Sequence, residues 1–308
     1  MTMITQEKFD SGLMKLPAWF RQEIPDMQKI RAMKGLFRSS RLHTVCESAN
    51  CPNMGTCWKQ GVATFMILGG TCTRACRFCS VPAGRPDLID HEEPQNVALA
   101  VKQLGLRYVV VTSVARDDIE DEGAGQFART IGAIRRLTPE VKIEVLIPDF
   151  SAKEGSLKIL SDAAPEVISH NIETVRRLAP SVRPQALHDR SLGVLRRFRG
   201  LNNRVFIKSS LMAGIGETDE EIIEVMKELR EAGCQILTIG QYLAPTRNKR
   251  HLPVVRFVEP EAFEMYRQKG LEMGFVHVES GPLVRSSYIA EQGYQAALGR
   301  LPARHATV

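Results

Sequence analysis

Long apolar runs are missing from this chain. The longest predominantly apolar stretches are seven or eight residues, far below the roughly 20 that a membrane-spanning helix needs. The opening residues, Met1-Thr2-Met3-Ile4-Thr5-Gln6-Glu7, lack a basic region followed by an apolar stretch. No secretory signal is expected, and the cytoplasm is the expected location. Aromatics are scarce, with two tryptophans and five tyrosines, and the basic residues are dispersed instead of forming a stripe. Both features argue against a nucleic-acid-binding face. Short cysteine pairs are also nearly missing, since only Cys76–Cys79 has a two-residue gap. That disfavours structural zinc, which ordinarily uses two such pairs well apart. The seven cysteines are an odd number and six of them fall between positions 46 and 79, which does not suit a disulfide framework.

What is present is ordinary in bulk. The chain has 308 residues, 44% apolar and 25% charged, enough to bury a sizeable core as one domain. Its formal charge of +6 serves solubility, or a docking face for an acidic partner or an anionic cofactor. Arg31, Lys34, Arg38 and Arg41 lie at helical spacing in the lead-in and read as a solvated helix face.

The chemistry concentrates in Cys72-Thr73-Arg74-Ala75-Cys76-Arg77-Phe78-Cys79. The run Val62–Leu68 leads into it through Gly69-Gly70, which reads as strand, tight turn and metal-binding loop. Three thiolates can hold a cuboidal iron–sulfur cluster by three of its four irons. The fourth iron is then open to an external molecule, whereas an electron-transfer ferredoxin fills all four positions. Cys46, Cys51 and Cys57 form a second set that is again one ligand short. Pro52, Asn53 and Gly55 within it read as a loop. Near the C-terminus Arg285-Ser286-Ser287-Tyr288 reads, from spacing alone, as a helix N-cap. Cys234 belongs to neither set and reads as a buried structural thiol.

From residue 62 onward six short β-branched runs alternate with helical stretches. The strands read at 62–68, 108–112, 142–147, 167–170, 205–211 and 236–239. The helices read at 94–105, 125–137, 154–162, 173–178, 189–200 and 218–232, the last opened by a Thr218/Glu221 capping box. Such alternation means parallel pairing with right-handed crossovers. Six repeats suit an α/β fold of the partial (β/α)6 TIM-like barrel kind, with chemistry at the C-terminal strand ends. Polar residues gather there: Thr112 and Ser113, Asn171 and Glu173, and Lys208 with Ser209 and Ser210. They are candidates for holding a nucleoside cofactor.

The Cys72/Cys76/Cys79 spacing, with Phe78 before the third cysteine, resembles the radical S-adenosylmethionine (SAM) enzymes. Together with the Cys46/Cys51/Cys57 set and Arg285-Ser286-Ser287-Tyr288, the chain resembles the lipoyl synthases from about residue 30 to 290. Further likeness lies in Val111–Asp118, His170–Val175 and Gln241–Thr246. The resemblance implies two 4Fe–4S clusters and SAM as cofactors. The Cys72/Cys76/Cys79 cluster would cleave SAM, with Phe78, Thr112, Ser113, Asn171, Glu173 and Lys208 around the cofactor. The Cys46/Cys51/Cys57 cluster would be auxiliary, completed by a serine and consumed as sulfur donor. Spacing does not separate Ser286 from Ser287, and Ser287 is the expected ligand. The implied reaction inserts sulfur at C6 and C8 of a protein-bound octanoyl-lysine. An alternative is a radical SAM enzyme whose auxiliary cluster is not a sulfur donor. Implied partners are octanoylated lipoyl-domain carriers (dehydrogenase-complex E2 subunits, the glycine cleavage H protein), an electron donor such as ferredoxin or flavodoxin, and an iron–sulfur carrier, with no nucleic acid and no membrane. Implied domains are a 1–60 extension bearing the auxiliary cysteines, a 61–258 barrel of the radical SAM type and a 259–308 extension. One segment departs from the family: Arg183-Pro184-Gln185-Ala186 stands where Arg-Pro-Gly-Ala is usual, and His188 stands where an aromatic is usual.

Overall fold

Each β-branched run pairs with the next one along the chain, and that succession builds the sheet. The computed structural model describes residues 16–21, 26–49, 51–59, 63–246 and 248–299. The first fifteen residues, Val62 and the expected boundary at 60/61 lie outside the described residues.

Among the described residues a 3-10 turn at Ala18–Phe20 is followed by α1 (Met27–Ser39), β1 (His43–Thr44), α2 (Val45–Ser48) and α3 (Met54–Lys59). There follow β2 (Thr64–Ile67), α4 (Glu93–Gln103), β3 (Tyr108–Ser113), α5 (Ala124–Leu137), β4 (Lys142–Leu146), α6 (Glu154–Asp162) and β5 (Val167–Ser169). The second half holds α7 (Ala179–Val182), α8 (His188–Leu201), β6 (Phe206–Ala213), α9 (Asp219–Glu231), β7 (Ile236–Gln241), α10 (Pro260–Glu272), β8 (His277–Gly281) and α11 (Ala290–Gly299). The eight strands form one sheet in sequence order, with β1 antiparallel to β2 and every later pair parallel. Parallel strands taken in order without reversal place the crossover helices on one face, so the sheet curls into an open barrel.

The six expected strands are therefore observed as β2 to β7. The sheet is longer by β8, whose sequence His277-Val278-Glu279-Ser280-Gly281 has one β-branched residue, and by the two-residue β1. Glu173 differs from the helix expected at 173–178. It has φ 66° and bridges Leu211 of β6, so its backbone extends the sheet and the next helix waits until Ala179. Cys46 and Cys57 lie on short helices instead of a loop. Thr44 caps α2 by accepting from Glu47 N at 3.3 Å, and Trp58 on α3 packs edge-on against Phe37 at 5.7 Å. The Thr218/Glu221 capping box is formed.

The two sheet faces differ. Phe65, Val111, Val145, Ile168 and Ile207 share a register row and pack with the helices in the main core. The opposite face, lining the barrel, carries Thr64, Thr112, Glu144, Ser169, Lys208, Ser210 and Thr238, all buried. Lys208 Nζ lies 2.7 Å from Glu144 Oε1, and Tyr108 donates to Glu144 Oε2 at 2.7 Å. At the strands' starting ends Tyr108, Phe206 and Ile236 meet Ala290, Tyr294 and Ala297 of α11, which plugs that end of the barrel.

Gly240 on β7 fixes how closely the tail approaches this inner face. A Cβ there would sit 2.0 Å from the Val284 carbonyl oxygen. Gly240→Ala should therefore destabilise the protein by about 1–3 kcal/mol. Gly35 on α1 has open space around its Cβ position, so Gly35→Ala should stabilise by about 1 kcal/mol. Chemical denaturation of the two variants reads both signs.

Candidate metal centres

After β2 the chain turns through Leu68 (φ 69°) and Gly69 (φ 90°). Leu68 N is held by the Glu93 carboxylate at 2.9 Å. The loop then folds back on itself: Cys72 N donates to Pro82 O at 2.8 Å and Gly84 N to Cys72 O at 2.9 Å. Its far side is tied to α7 by Arg77 N to Val182 O at 2.8 Å. Arg250 Nη2 donates to Cys79 O at 3.0 Å, and His251 Nε2 lies 3.0 Å from the same carbonyl. These contacts bring Cys72, Cys76 and Cys79 together at the C-terminal end of β2.

Burial, then the neighbouring Cys79 and Glu173, push the Cys76 thiol up to about 12. Burial likewise raises Cys79, and Cys72 and Glu173 add to it. Thiols so placed ionise only against a strongly cationic centre, which is the environment of a cluster ligand. Polar atoms around them are also unmet. Arg183 is 3% exposed, and its Nη1 and Nη2 donate to Asn171 O at 3.1 Å and Ser191 Oγ at 2.9 Å. Its Nε has no partner, nor have Asn171 Oδ1 and Ser113 Oγ. Arg183 acts electrostatically on both Cys76 and Glu173. Buried polar atoms without partners are costly and mark a place that a polar ligand fills. Sequence reasoning passed over Arg183. Its signal was only the Arg-Pro of a segment read as a rim loop.

Of the other candidates, Asn171 donates to Glu173 Oε1 at 3.0 Å, and Phe78 packs on Val182, Ile215 and Tyr242. Thr112 spends its hydroxyl on Leu146 O at 2.7 Å. Lys208 is not brought to this group. It stands on the third residue of β6, its charge committed to Glu144 deep in the barrel. Glu217, at the rim, accepts from the backbone of Gly214, Ile215 and Gly216 and so shapes its own loop.

The second set converges separately. Cys46, Cys51 and Cys57 line one pocket with Asn53, Met54, Thr64, Arg285, Ser287 and Tyr288. Burial, then Cys51 and Cys46, push the Cys57 thiol up to about 12. Trp58 Nε1 is buried, and its N–H lies beside the Cys46 thiol, where it favours the thiolate. Asn53 Nδ2 donates to Leu283 O at 2.6 Å and Thr64 Oγ1 to Ser287 Oγ at 2.9 Å. The tail thus joins β8 to the β2 side of the open barrel. Ser286 and Ser287 are not the N-cap that spacing suggests, because α11 begins only at Ala290. Cys234 is fully buried and belongs to neither set. Among the described residues no three His, Cys, Asp or Glu side chains converge tightly enough to share a single metal ion.

The sequence pattern of the Radical SAM superfamily matches residues 66–243. A lipoyl synthase from Rubrobacter xylanophilus is 54% identical over 94% of this chain and 89% of its own. One from Syntrophotalea carbinolica is 51% identical over 92% and 91%. The chain belongs to the lipoyl synthase family. The crystal structure of Streptococcus suis SuiB bound to S-adenosylmethionine superposes with a TM-score of 0.52 at 12% identity, covering 80% of this chain and 58% of that one. It shares the fold. Membership of the family implies SAM, 4Fe–4S chemistry and a lipoyl-domain protein as substrate.

Ser287, not Ser286, lies in the second pocket. In a background where Cys72, Cys76 and Cys79 are alanine, Ser287→Ala should lower anaerobic iron retention, and Ser286→Ala should leave it near the parent value. Iron analysis and the cluster's visible absorbance read both.

Proposed function

We propose that this chain inserts two sulfur atoms, at C6 and C8, into an octanoyl-lysine carried on a lipoyl domain. The observation that carries the reading is the pairing of two incomplete cysteine sets, one at a strand's C-terminal end and one sharing its pocket with Ser287. The first set, when loaded, supplies one-electron SAM cleavage and hydrogen abstraction from carbon, and the second supplies the sulfur. Cys72, Cys76 and Cys79 hold the first cluster, and Cys46, Cys51, Cys57 and Ser287 hold the second.

The remaining residues bind and orient. Arg183 offers its unpaired N–H to an anionic group of the cofactor, a role for which Arg suits better than Lys. Asn171, Glu173 and Ser113 offer hydrogen bonds beside it, and Phe78 supplies an apolar wall. A serine alkoxide is a harder and weaker ligand for iron than a thiolate, so Ser287 would be the loosest of the four residues holding a cluster in this pocket. Thr64, which donates to Ser287 Oγ, would orient that hydroxyl. The carrier partners are E2 subunits and the glycine cleavage H protein. An electron donor such as ferredoxin or flavodoxin and an iron–sulfur carrier complete the cycle, in the cytoplasm. Among the described residues no helix is long and apolar enough to cross a membrane.

Anaerobically prepared protein should hold two 4Fe–4S clusters, about eight irons with matching sulfide, and about half that after Cys46, Cys51 and Cys57 are changed to alanine. Single turnover with an octanoylated peptide should add two sulfurs and degrade one cluster. Product without cluster loss would favour an auxiliary cluster that is not the sulfur donor. Arg183→Gln should weaken SAM binding by about tenfold or more, as for loss of a charged hydrogen bond, read by equilibrium dialysis.

A further inference from the structure

The residues between Cys72 and Cys76 are held by a charge network that spans three strand ends. Arg74, 8% exposed, donates through Nη2 to Asp117 Oδ1 at 2.6 Å. Its Nη1 lies 2.7 Å from Asp149 Oδ1, and its Nη2 lies 3.8 Å from Glu122 Oε2. Lys153 Nζ lies 3.0 Å from Glu122 Oε1, and Arg190 Nη1 lies 3.3 Å from Asp149 Oδ2. Three cations thus balance three carboxylates. Asp149 is the most enclosed of these carboxylates. Its side chain is 0% exposed, against 35% for Asp117, so its attraction to Arg74 is the less screened by solvent.

Asp149 sits where the backbone is strained. Phe150, Ser151 and Ala152 have φ 45°, 46° and 56°, three consecutive non-glycine residues in the left-handed region. The turn is built around Asp149, whose Oδ1 accepts from Ser151 N at 3.2 Å and whose carbonyl accepts from Ala152 N at 2.8 Å. Such strain persists where surrounding structure over-determines it, commonly at functional positions. At the other end of the relay, the backbone N–H of Arg74 donates to Cys72 Sγ at 3.4 Å, and that of Ala115 donates to the same sulfur at 3.3 Å. Hydrogen bonds to a ligating sulfur withdraw negative charge and help set a cluster's reduction potential.

We infer that Asp149 is a positioning residue for the cluster on Cys72, Cys76 and Cys79. Through Arg74 it fixes the N–H that donates to the Cys72 sulfur, and so tunes the potential at which the cluster accepts its electron. The inference rests on the cluster assignment proposed above. Nothing in the sequence marks Asp149, which follows Pro148 at the end of an ordinary strand.

Asp149→Asn keeps the side chain's shape and removes its charge. The measurements are iron per chain, SAM binding, and an EPR-monitored redox titration of protein lacking the Cys46/Cys51/Cys57 cysteines. The expected result is near-normal iron with a midpoint potential shifted to more negative values, as loss of an N–H bond to the sulfur dictates and opposite in sign to the positive shift that removal of a nearby negative charge alone would give, together with an altered EPR signal and partial return of both in Asp149→Glu. Lys158→Gln, at an exposed ion pair, is the control and should not move the midpoint. Arg74→Lys keeps the cation but loses the guanidinium fork, and should shift the midpoint in the same direction if Asp149→Asn will not fold. An unchanged or more positive midpoint in either variant overturns the inference. If the parent protein binds no cluster at these cysteines, the assignment of the site has failed instead.

Discussion

The tail segment rests on a bare stretch of β7. A carbonyl at Val284 occupies the space that a side chain on Gly240 would need, and much of the molecule's chemistry follows from that contact. It carries Arg285 to Tyr288 across the inner face of the barrel. It brings Ser287 to Thr64 and into the pocket of three cysteines that arrive from the opposite end of the chain. An open barrel leaves two sheet edges, and unpaired edges are a liability. Here the short β1 covers β2, while the tail leaves β8 and crosses to the β2 side, so one segment both bridges the gap and supplies a hydroxyl.

The two cysteine sets are built by different means. Cys72, Cys76 and Cys79 lie on a loop with little regular structure, held from outside by Asp117, Val182, Arg250 and His251. Cys46 and Cys57 lie on helical turns, packed through Trp58 and Phe37 into the main core. The first arrangement keeps a rim loop open to solvent and ligand. The second encloses its pocket, where Asn53, Thr64, Arg285, Ser287 and Tyr288 supply polar groups beside the sulfurs. The barrel lumen between them is polar as well, with the Lys208–Glu144–Tyr108 group buried within it. Removing one partner of such a buried pair would cost about 3–5 kcal/mol, so the group ties β3, β4 and β6 together beside the apolar contacts with α11 at the barrel's base.

Much of this was readable beforehand. Six strands and the two cysteine sets carry local signals in spacing and residue type, each contained in a short stretch of chain, whereas the serine tail stood out only through the family resemblance, its spacing alone having suggested an N-cap. Lys208 was misplaced because a charged residue on a strand near a polar rim reads alike whether it faces a ligand or a buried carboxylate. The deciding partner, Glu144, is 64 residues away. The helix expected at 173–178 lost to a bridge between Glu173 and Leu211, a tertiary contact that propensity does not see. β8 was missed since a parallel edge strand can be polar where it faces the lumen. Arg183 and Asp149 were invisible for a related reason: an arginine beside a proline and an aspartate after a strand have no distinctive pattern, and only their enclosure gives them meaning.

The bond between Thr64 and Ser287 joins residues 223 positions apart, and this separation orders events in time. During synthesis the first strands and the cysteines near them emerge well before the tail exists, and domains begin folding from the N-terminal side. The enclosed pocket has one wall missing until the tail has been made. A cluster held there, as proposed above, would have to be installed on a nearly finished polypeptide, after translation instead of alongside it.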